Sequence, residues 1–388
     1  MRLQLAERRV KYSRSILVSI LALLGAGNAQ AGVLPEDRAD VLYHLYDGGG
    51  VQIDGPSVLV RKQVGNSVSL VANYYVDMVS SASIDVITTA SPYTEERTQW
   101  SLGMDYLHGN TTMSLGFTSS VEPDYDATSF SFSVSQDMFS DLTTLTLTYA
   151  LGDDVVGNTS DPTFERDIDR QNYGISLTQI LTRNMIAAIN FETITDEGFL
   201  NNPYRSVRYA DAGSAIGYSY EPELYPNTRT SNALGIRVKY YLPYRAAIEG
   251  EYRYFTDTWD IDGNTVSISY VHPLGPWTFK AKFRYHDQTG AHFFNDIFPR
   301  SEATNFRGRD KELSPLTSST FRLAASYEIV GGAKSWGFIK KASINASIDF
   351  LHVDYHEFTN LSTGAAYGAE PLYALEANIF QLFFSVWY

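Results

Sequence analysis

The sequence predicts an all-β protein: a transmembrane antiparallel β-barrel of about 16 strands, with short periplasmic turns and long extracellular loops. Three observations carry that expectation. First, Leu375–Tyr388 (LEANIFQLFFSVWY) alternates, with Phe380, Leu382, Phe384, Val386 and Tyr388 on one face and Gln381 and Ser385 on the other. An apolar strand of this kind left as a free edge would aggregate, so it needs a partner. Second, aromatic residues make up 14% of the chain, including 27 Tyr, yet the mean hydropathy is slightly negative. Aromatic girdles and an outward apolar band around a polar lumen account for both. Third, strand–turn–strand units recur from Arg38 onward, with short and long connections mostly alternating.

Residues 1–31 read as a secretory signal that precedes the barrel, which is expected to occupy residues 32–388. Arg2, Arg8, Arg9, Lys11 and Arg14 lead into the apolar run Ile16–Gly25, and Ala29-Gln30-Ala31 fits a small-x-small cleavage site. That run is too short for a spanning helix, which needs roughly 20 residues. Removing the five basic residues and Glu7 of residues 1–31 from the totals of 30 and 44 leaves 25 Lys+Arg against 43 Asp+Glu, a formal charge of −18. So acidic a chain offers no footprint for nucleic acid. Without cysteine it has no disulfide scaffold, thiolate metal site, attached haem or thiol nucleophile. No cofactor is called for.

The first expected strand, Arg38–Tyr46, is followed by Asp47-Gly48-Gly49-Gly50 and the strand Val51–Val64. Gly65-Asn66 then turns into Ser67–Ser80, where Val68, Leu70, Ala72, Tyr74, Val76 and Met78 alternate with polar residues. Glu96–His108 presents Trp100, Leu102, Met104 and Tyr106 outward, turns at Gly109-Asn110 and returns through Met113, Leu115 and Phe117. Further hairpins pair Thr128–Asp137 with Thr143–Leu151, Arg170–Thr178 with Met185–Thr195, and Asn232–Leu242 with Ala246–Thr256. Thr265–Val271 turns through His272–Pro276 into Trp277–Gln288, and Ser319–Ile329 turns through Gly331-Gly332 into Lys341–Tyr355. The final strand completes sixteen, an even number that leaves both ends on one side. Most are about 9–12 residues, enough for a tilted strand to cross. Long loops are expected at Ser81–Glu95, Gly152–Asp169, Asp196–Ser231, Thr289–Ser318 and His356–Ala374, with Asp47–Gly50 as a short exception. Closure requires Val41–Leu45 to pair with Ile379–Phe384.

Parity assigns the wall of the lumen. Its basic members are Arg61, Arg237, Lys239, Arg253, Lys280, Lys282, Arg284 and Arg322. Its acidic members are Asp77, Asp105, Glu192, Glu249, Glu251, Glu328 and Asp349. Lys or Arg on the lipid side at mid-bilayer would cost about 2–4 kcal/mol each. Two roles are open to these charges: opposed walls that select ions, or cross-strand pairs that brace the interior, such as Lys239 with Glu249 or Glu251.

Two loops, Asp196–Ser231 and Thr289–Ser318, are long enough to fold inward as constrictions or to meet a partner, and their mix of aromatic residues with charge suits packed loops, for gating or docking, rather than disorder. Acidic groups at Glu122, Asp124 and Asp126, and at Asp257, Asp260 and Asp262, are candidate sites for a divalent cation, though such loop carboxylates are commonly just solvated. His352-x-Asp354-x-His356 puts three potential ligands on one strand face without a fourth, so no metal site is assigned. The chain lacks Gly-x-Ser-x-Gly, His-Glu-x-x-His and a Walker loop. His286 with Asp287 is the best remaining candidate for a hydrolytic pair, and no enzyme is expected.

Several stretches resemble an uncharacterised, domain-of-unknown-function family of Gram-negative outer-membrane β-barrel proteins. They are Asp54–Val60 (DGPSVLV), Tyr74–Ser83 (YYVDMVSSAS), Gly198–Arg205 (GFLNNPYR), Tyr252–Trp259 (YRYFTDTW) and Asp310–Ser314 (DKELS). The resemblance spans essentially the whole chain from Arg38. It implies a bacterial outer-membrane location among lipid and lipopolysaccharide, and assembly by the barrel machinery that reads an aromatic-terminated last strand. It also implies a partner in an envelope redox system, a small lipoprotein among them. The expected function is a non-enzymatic, porin-like channel for small polar or charged solutes. The alternative is a barrel scaffold that houses or docks such a lipoprotein or a periplasmic partner.

Overall fold

A computed structural model describes residues 33–81, 93–330 and 337–388. The expected signal segment, most of the loop after the third strand, and the Gly331-Gly332 turn lie outside these residues. Alternation of branched or aromatic residues with Ser, Thr and charge produces strands throughout. In order they are β1 (Arg38–Gly48), β2 (Val51–Val64), β3 (Val68–Ser81), β4 (Tyr93–His108), β5 (Thr111–Val121) and β6 (Tyr125–Met138). Next come β7 (Thr143–Val156), β8 (Arg166–Thr182), β9 (Met185–Gly198), β10 (Ser206–Ala210), β11 (Tyr218–Pro222) and β12 (Thr228–Tyr241). The last six are β13 (Ala247–Asp257), β14 (Asp262–Leu274), β15 (Trp277–Gln288), β16 (Leu316–Val330), β17 (Lys341–Thr359) and β18 (Leu372–Trp387).

Among the described residues, sixteen of these strands close into one antiparallel barrel, in which β12 follows β9 directly. The seam has the expected register, Val41 opposite Phe384 and Leu45 opposite Phe380. Tyr388 fastens it from outside the strand: its amide donates to Asp37 O (3.3 Å) and its hydroxyl to Arg61 O (3.0 Å). Large apolar side chains at Val41, Tyr74, Trp100, Leu102, Phe117, Ile175, Ile236, Phe283, Phe321 and Phe384 are exposed around the outer wall. A closed barrel satisfies every ladder group internally, so a wall with this apolar exterior can stand in lipid.

The strands differ from expectation in length, running from 11 to 19 residues in the barrel. The reason is visible on β17 and β18. The outer face of β17 carries Ile344, Ile348 and Phe350 and then turns polar at His352, Asp354 and His356. On β18 the outer face is apolar from Phe380 to Phe384 but reads Glu376 and Asn378 beyond. Pairing continues past the apolar band, and there the inner face turns apolar instead, with Val353, Tyr355, Leu375 and Ala377 buried. The turn expected at His272–Pro276 narrows to Gly275-Pro276, because Pro273 still pairs with Thr278 at the end of the β14–β15 ladder. The Asp196–Ser231 connection is not an open loop: it contains β10 and β11, paired as a separate two-stranded sheet.

One close approach depends on glycine. Gly55 lies opposite His44 on β1 and between the Asp54–Met78 and Ser57–Tyr75 partners of β2 and β3. A Cβ there would sit 1.8 Å from Val76 O. The bare backbone lets His44 reach over it to Asp77, with Nε2 2.8 Å from Oδ1 and the ring stacked on Tyr75.

Candidate functional site

The long connections close over one end of the barrel as a packed cap. Leu316, Val353, Tyr355, Leu375 and Ala377, all on inward parity, form a buried cluster with Phe358, and Phe294 of the β15–β16 connection packs against it. A second cluster joins Tyr225, Trp259, Ile261, Ala291, Phe293 and Leu313. Backbone bonds tie these connections together: Phe298 N donates to Arg208 O (2.8 Å), and Leu224 and Arg307 exchange both bonds. Burial of the apolar faces supplies the drive, at about 25 cal/mol per Å² removed from water.

Arg208 on β10 is the polar centre of the cap. Its guanidinium, 1% exposed, pairs with Asp296 and with Glu370 (2.8 Å), and donates to Thr359 Oγ1 (3.0 Å). Arg309 reaches the same Asp296 at 2.8 Å. Three connections, β9–β12, β15–β16 and β17–β18, therefore meet at one charge cluster. Burial raises the Asp296 carboxyl, but Arg309 and Arg208 outweigh it and hold the group below its ordinary range. Asp310 behaves likewise, with Arg205 overcoming its burial. Glu223 is the opposite case. Burial pushes it up to about 7, against hydrogen bonds from Tyr225 Oη and the Arg309 amide.

Beside the cap a cleft of about 610 Å³ remains open. Glu122, Asp124 and Tyr125 line it from the β5–β6 side, Phe199 to Tyr204 from the β9–β12 connection, and Trp259, Asp310, Glu312 and Leu313 from the far side. Three of the five stretches that carry the family resemblance, 198–205, 252–259 and 310–314, meet here. A second cavity of about 370 Å³ shares Glu122, Tyr125 and Arg170 with it and runs along the inner wall of β4–β8 past Gln99, Thr118, Ser120, Ser129, Ala150 and Asn172.

The sequence-assigned wall residues all fall on the parity opposite the exposed apolar set. Most are paired. Arg61 binds Asp105, Arg322 binds Asp349, and Asp77 holds His44 with Arg97 at 3.8 Å. Arg237 reaches Glu251 at 3.1 Å, Lys239 reaches Glu249 at 3.8 Å, and Lys282 reaches Glu251 at 3.9 Å. Lys341 lies 3.7 Å from Glu328, and Asn172 donates to Glu192 (2.8 Å). Arg253 sits over the Phe255 ring. Among the described residues, Lys280 and Arg284 have no carboxylate partner, so β15 presents two uncompensated cations.

The acidic loop groups have other work. Asp257 takes Arg229 (2.6 Å) and the amides of Trp259 and Ile261. Asp124 accepts from Tyr204 Oη (2.5 Å). His352 lies 3.1 Å from Asp354 on the outer face. Among the described residues, no three His, Asp or Glu side chains are placed to hold a metal ion. His286 and Asp287 point to opposite faces of β15, as successive strand residues must. The histidine bonds Thr265 and Gln288 instead, so the two do not form a pair.

With the barrel and its cap in view, the sequence comparison is decisive. The chain matches the family described as "Protein of unknown function (DUF3570)" over residues 84–173 and 165–385. It belongs to that family. None of the curated proteins matches it. Among solved structures, the chain is similar to a bacterial polysaccharide outer membrane secretin at 8% identity and a TM-score of 0.48, covering 91% of this chain and 99% of the other. It is similar to a loop L8 deletion mutant of OmpT, an outer membrane protein of Vibrio cholerae, at 8% identity and a TM-score of 0.43, covering 90% and 98%. A Pseudomonas aeruginosa FadL homologue gives 9% identity and a TM-score of 0.44, covering 91% and 90%. Likeness at this level bears on none of the functional conclusions. A closed β-barrel with an apolar outer band is the architecture of bacterial outer-membrane proteins.

Proposed function

We propose that this DUF3570 protein is an outer-membrane conduit for small polar and charged solutes, exported by a signal segment cleaved after Ala31. One observation carries the reading. The cleft beside the cap and the cavity along β4–β8 share Glu122, Tyr125 and Arg170 in their walls, which supports a path inward past the packed loops. The inward parity of β5–β7 carries small hydroxyl-bearing residues such as Ser114, Ser131, Ser133 and Thr146, while that of β12, β13, β15 and β16 carries long charged ones such as Arg237, Glu251, Lys282 and Arg322, so the lumen has unlike walls. The capped end faces outward from the cell in this reading, and the short turns face the periplasm. Purified protein in a planar bilayer should give stepwise conductance. Lys280→Glu or Arg284→Glu should shift its ion preference toward cations, because those two charges lack an internal counter-ion.

A second reading rests on the cap itself. Loops this tightly packed suit a barrel that presents a rigid outer face and docks a partner, such as a small lipoprotein, on the other side. A silent bilayer together with a co-purifying lipoprotein would overturn the conduit in favour of that scaffold.

A further inference from the structure

We infer that the cleft beside the cap is a subsite for small organic cations, molecules that carry an ammonium or guanidinium group on an apolar stem. The inference rests on the conduit reading and names its substrate class. The first argument is charge that remains unspent. The two cations on the cleft wall are already committed: Arg170 to Asp196 (2.7 Å) with Asp154 at 3.5 Å, and Arg229 to Asp257 while lying over the Trp259 ring. Glu122 is paired only loosely, with Arg97 at 3.8 Å, a cation it shares with Asp77, and among the described residues the Asp124 carboxylate has no cation and holds the Tyr204 hydroxyl. Glu122 lines both cavities, so its charge is available to a ligand in either.

The second argument is shape and lining. Tyr125, Phe199 and Tyr204 border the same space as these carboxylates. Aromatic faces next to carboxylates attract a cation that brings apolar atoms with it, by ring quadrupole and by charge together. A volume of about 610 Å³ is that of a ligand pocket rather than a bare-ion site. The described residues place no three-ligand set there either. Burial, with Asp124 adding repulsion against the pull of Arg97, raises the Glu122 carboxyl above its ordinary value, and an entering cation would relieve that penalty.

Proteoliposome swelling in isosmotic arginine hydrochloride, glucose or sodium glutamate tests the class, with calorimetry of the detergent-solubilised protein against arginine as a separate reading of binding. Arginine should enter faster than glutamate by on the order of tenfold. The Glu122→Gln/Asp124→Asn double variant should bring the two rates close together, and its heat-modifiable gel mobility reports that the barrel still folds. Equal entry of glucose and arginine, unchanged in the double variant, would overturn the cation subsite and leave the conduit standing. If no solute enters yet arginine titrates the wild-type protein and not the double variant, the subsite stands and the conduit falls. Calcium chloride displacing arginine from the detergent protein at low concentration would reassign the carboxylates to a metal ion and overturn the inference. No swelling and no binding heat would refute both.

Discussion

Arg208→Ala should release the cap and leave the barrel closed. In the native protein the Arg208 guanidinium neutralises Asp296 and Glu370 and donates to Thr359, all within a shell that leaves it 1% exposed. After truncation Asp296 keeps Arg309 and the Thr359 donors, so it stays compensated. Glu370 is left with the Gly368 amide at 2.7 Å and no cation. Removing one partner of a buried pair costs about 3–5 kcal/mol, and the retained Arg309 puts this case at the lower end. A loss of about 3 kcal/mol raises the population of the opened cap roughly a hundredfold. Hydrogen exchange in detergent or nanodiscs reads this directly. Amides of Ser206–Ala210 and Tyr218–Pro222 should exchange about two orders of magnitude faster in the variant, while the β1–β18 ladder keeps its protection. Arg322→Ala serves as the contrast, because its partner Asp349 lies on the barrel wall away from the cap. Unchanged protection in β10–β11, or a uniform loss across all strands, would refute the assignment of Arg208 as the tie between the three connections.

Glu223 makes the cap sensitive to pH. Its carboxyl titrates near 7 in the folded protein, above the ordinary 4.5, so its favourable contribution is complete below about pH 4.5 and is lost as pH rises through 7. Asp296 and Asp310 work in the opposite sense and only at more acid pH, since both are depressed below 3.8. Cap protection should therefore fall between pH 5 and 8 in wild type, by on the order of 3 kcal/mol at most. Glu223→Gln should flatten that profile, and a slope that survives the substitution would assign the titration elsewhere. Gly55→Val forces a side chain against the Val76 carbonyl oxygen and should lower the temperature at which heat-modifiable gel mobility is lost. Retained heat resistance would mean that β2 and β3 can separate there. Val41→Cys with Phe384→Cys should oxidise to an intramolecular disulfide in this cysteine-free chain, and failure to do so would contradict the register of the seam.

The barrel was legible because its signal is local and repeated. Val68, Leu70, Ala72, Tyr74 and their counterparts on other strands keep one phase over the width of a bilayer, and the strand Phe380–Phe384 needs a partner wherever it stands. The parity that put Arg61, Glu251 and Asp349 inside follows from the same period of two. The cap was not legible in this way. Arg208 meets Glu370 across 162 positions and Asp296 across 88, and no spacing rule brings them together. The hairpin of β10 and β11 consists of two five-residue strands inside a polar connection, too short to show a phase. One signal was present nonetheless. On β17 the apolar set changes parity from Ile344, Ile348 and Phe350 to Val353 and Tyr355, and on β18 from Phe380 to Leu375 and Ala377. An inversion of that kind marks the height at which lipid gives way to packed loops. The strands exceed 9–12 residues at the same height, because pairing continues beyond the apolar-out band into the packed loops.

The β1–β18 seam has a consequence for how the barrel comes into being. Every other ladder in the wall joins strands that follow one another in the chain, with only the β10–β11 hairpin between β9 and β12, while the seam joins Arg38 to Trp387. Contacts of such sequence separation form last, after the loop-closure entropy of nearly the whole chain has been overcome. Until then the growing sheet carries two bare edges, and in lipid each unmet amide or carbonyl costs several kcal/mol. Sealing is therefore a kinetic contest between the molecule's own two edges and any foreign strand. Gly48 sits at the loop end of that ladder, where a Cβ would lie 2.2 Å from the Cβ of Ala377. A substitution there acts on the contest: it slows the zippering of the final ladder and prolongs the interval in which one chain can capture another.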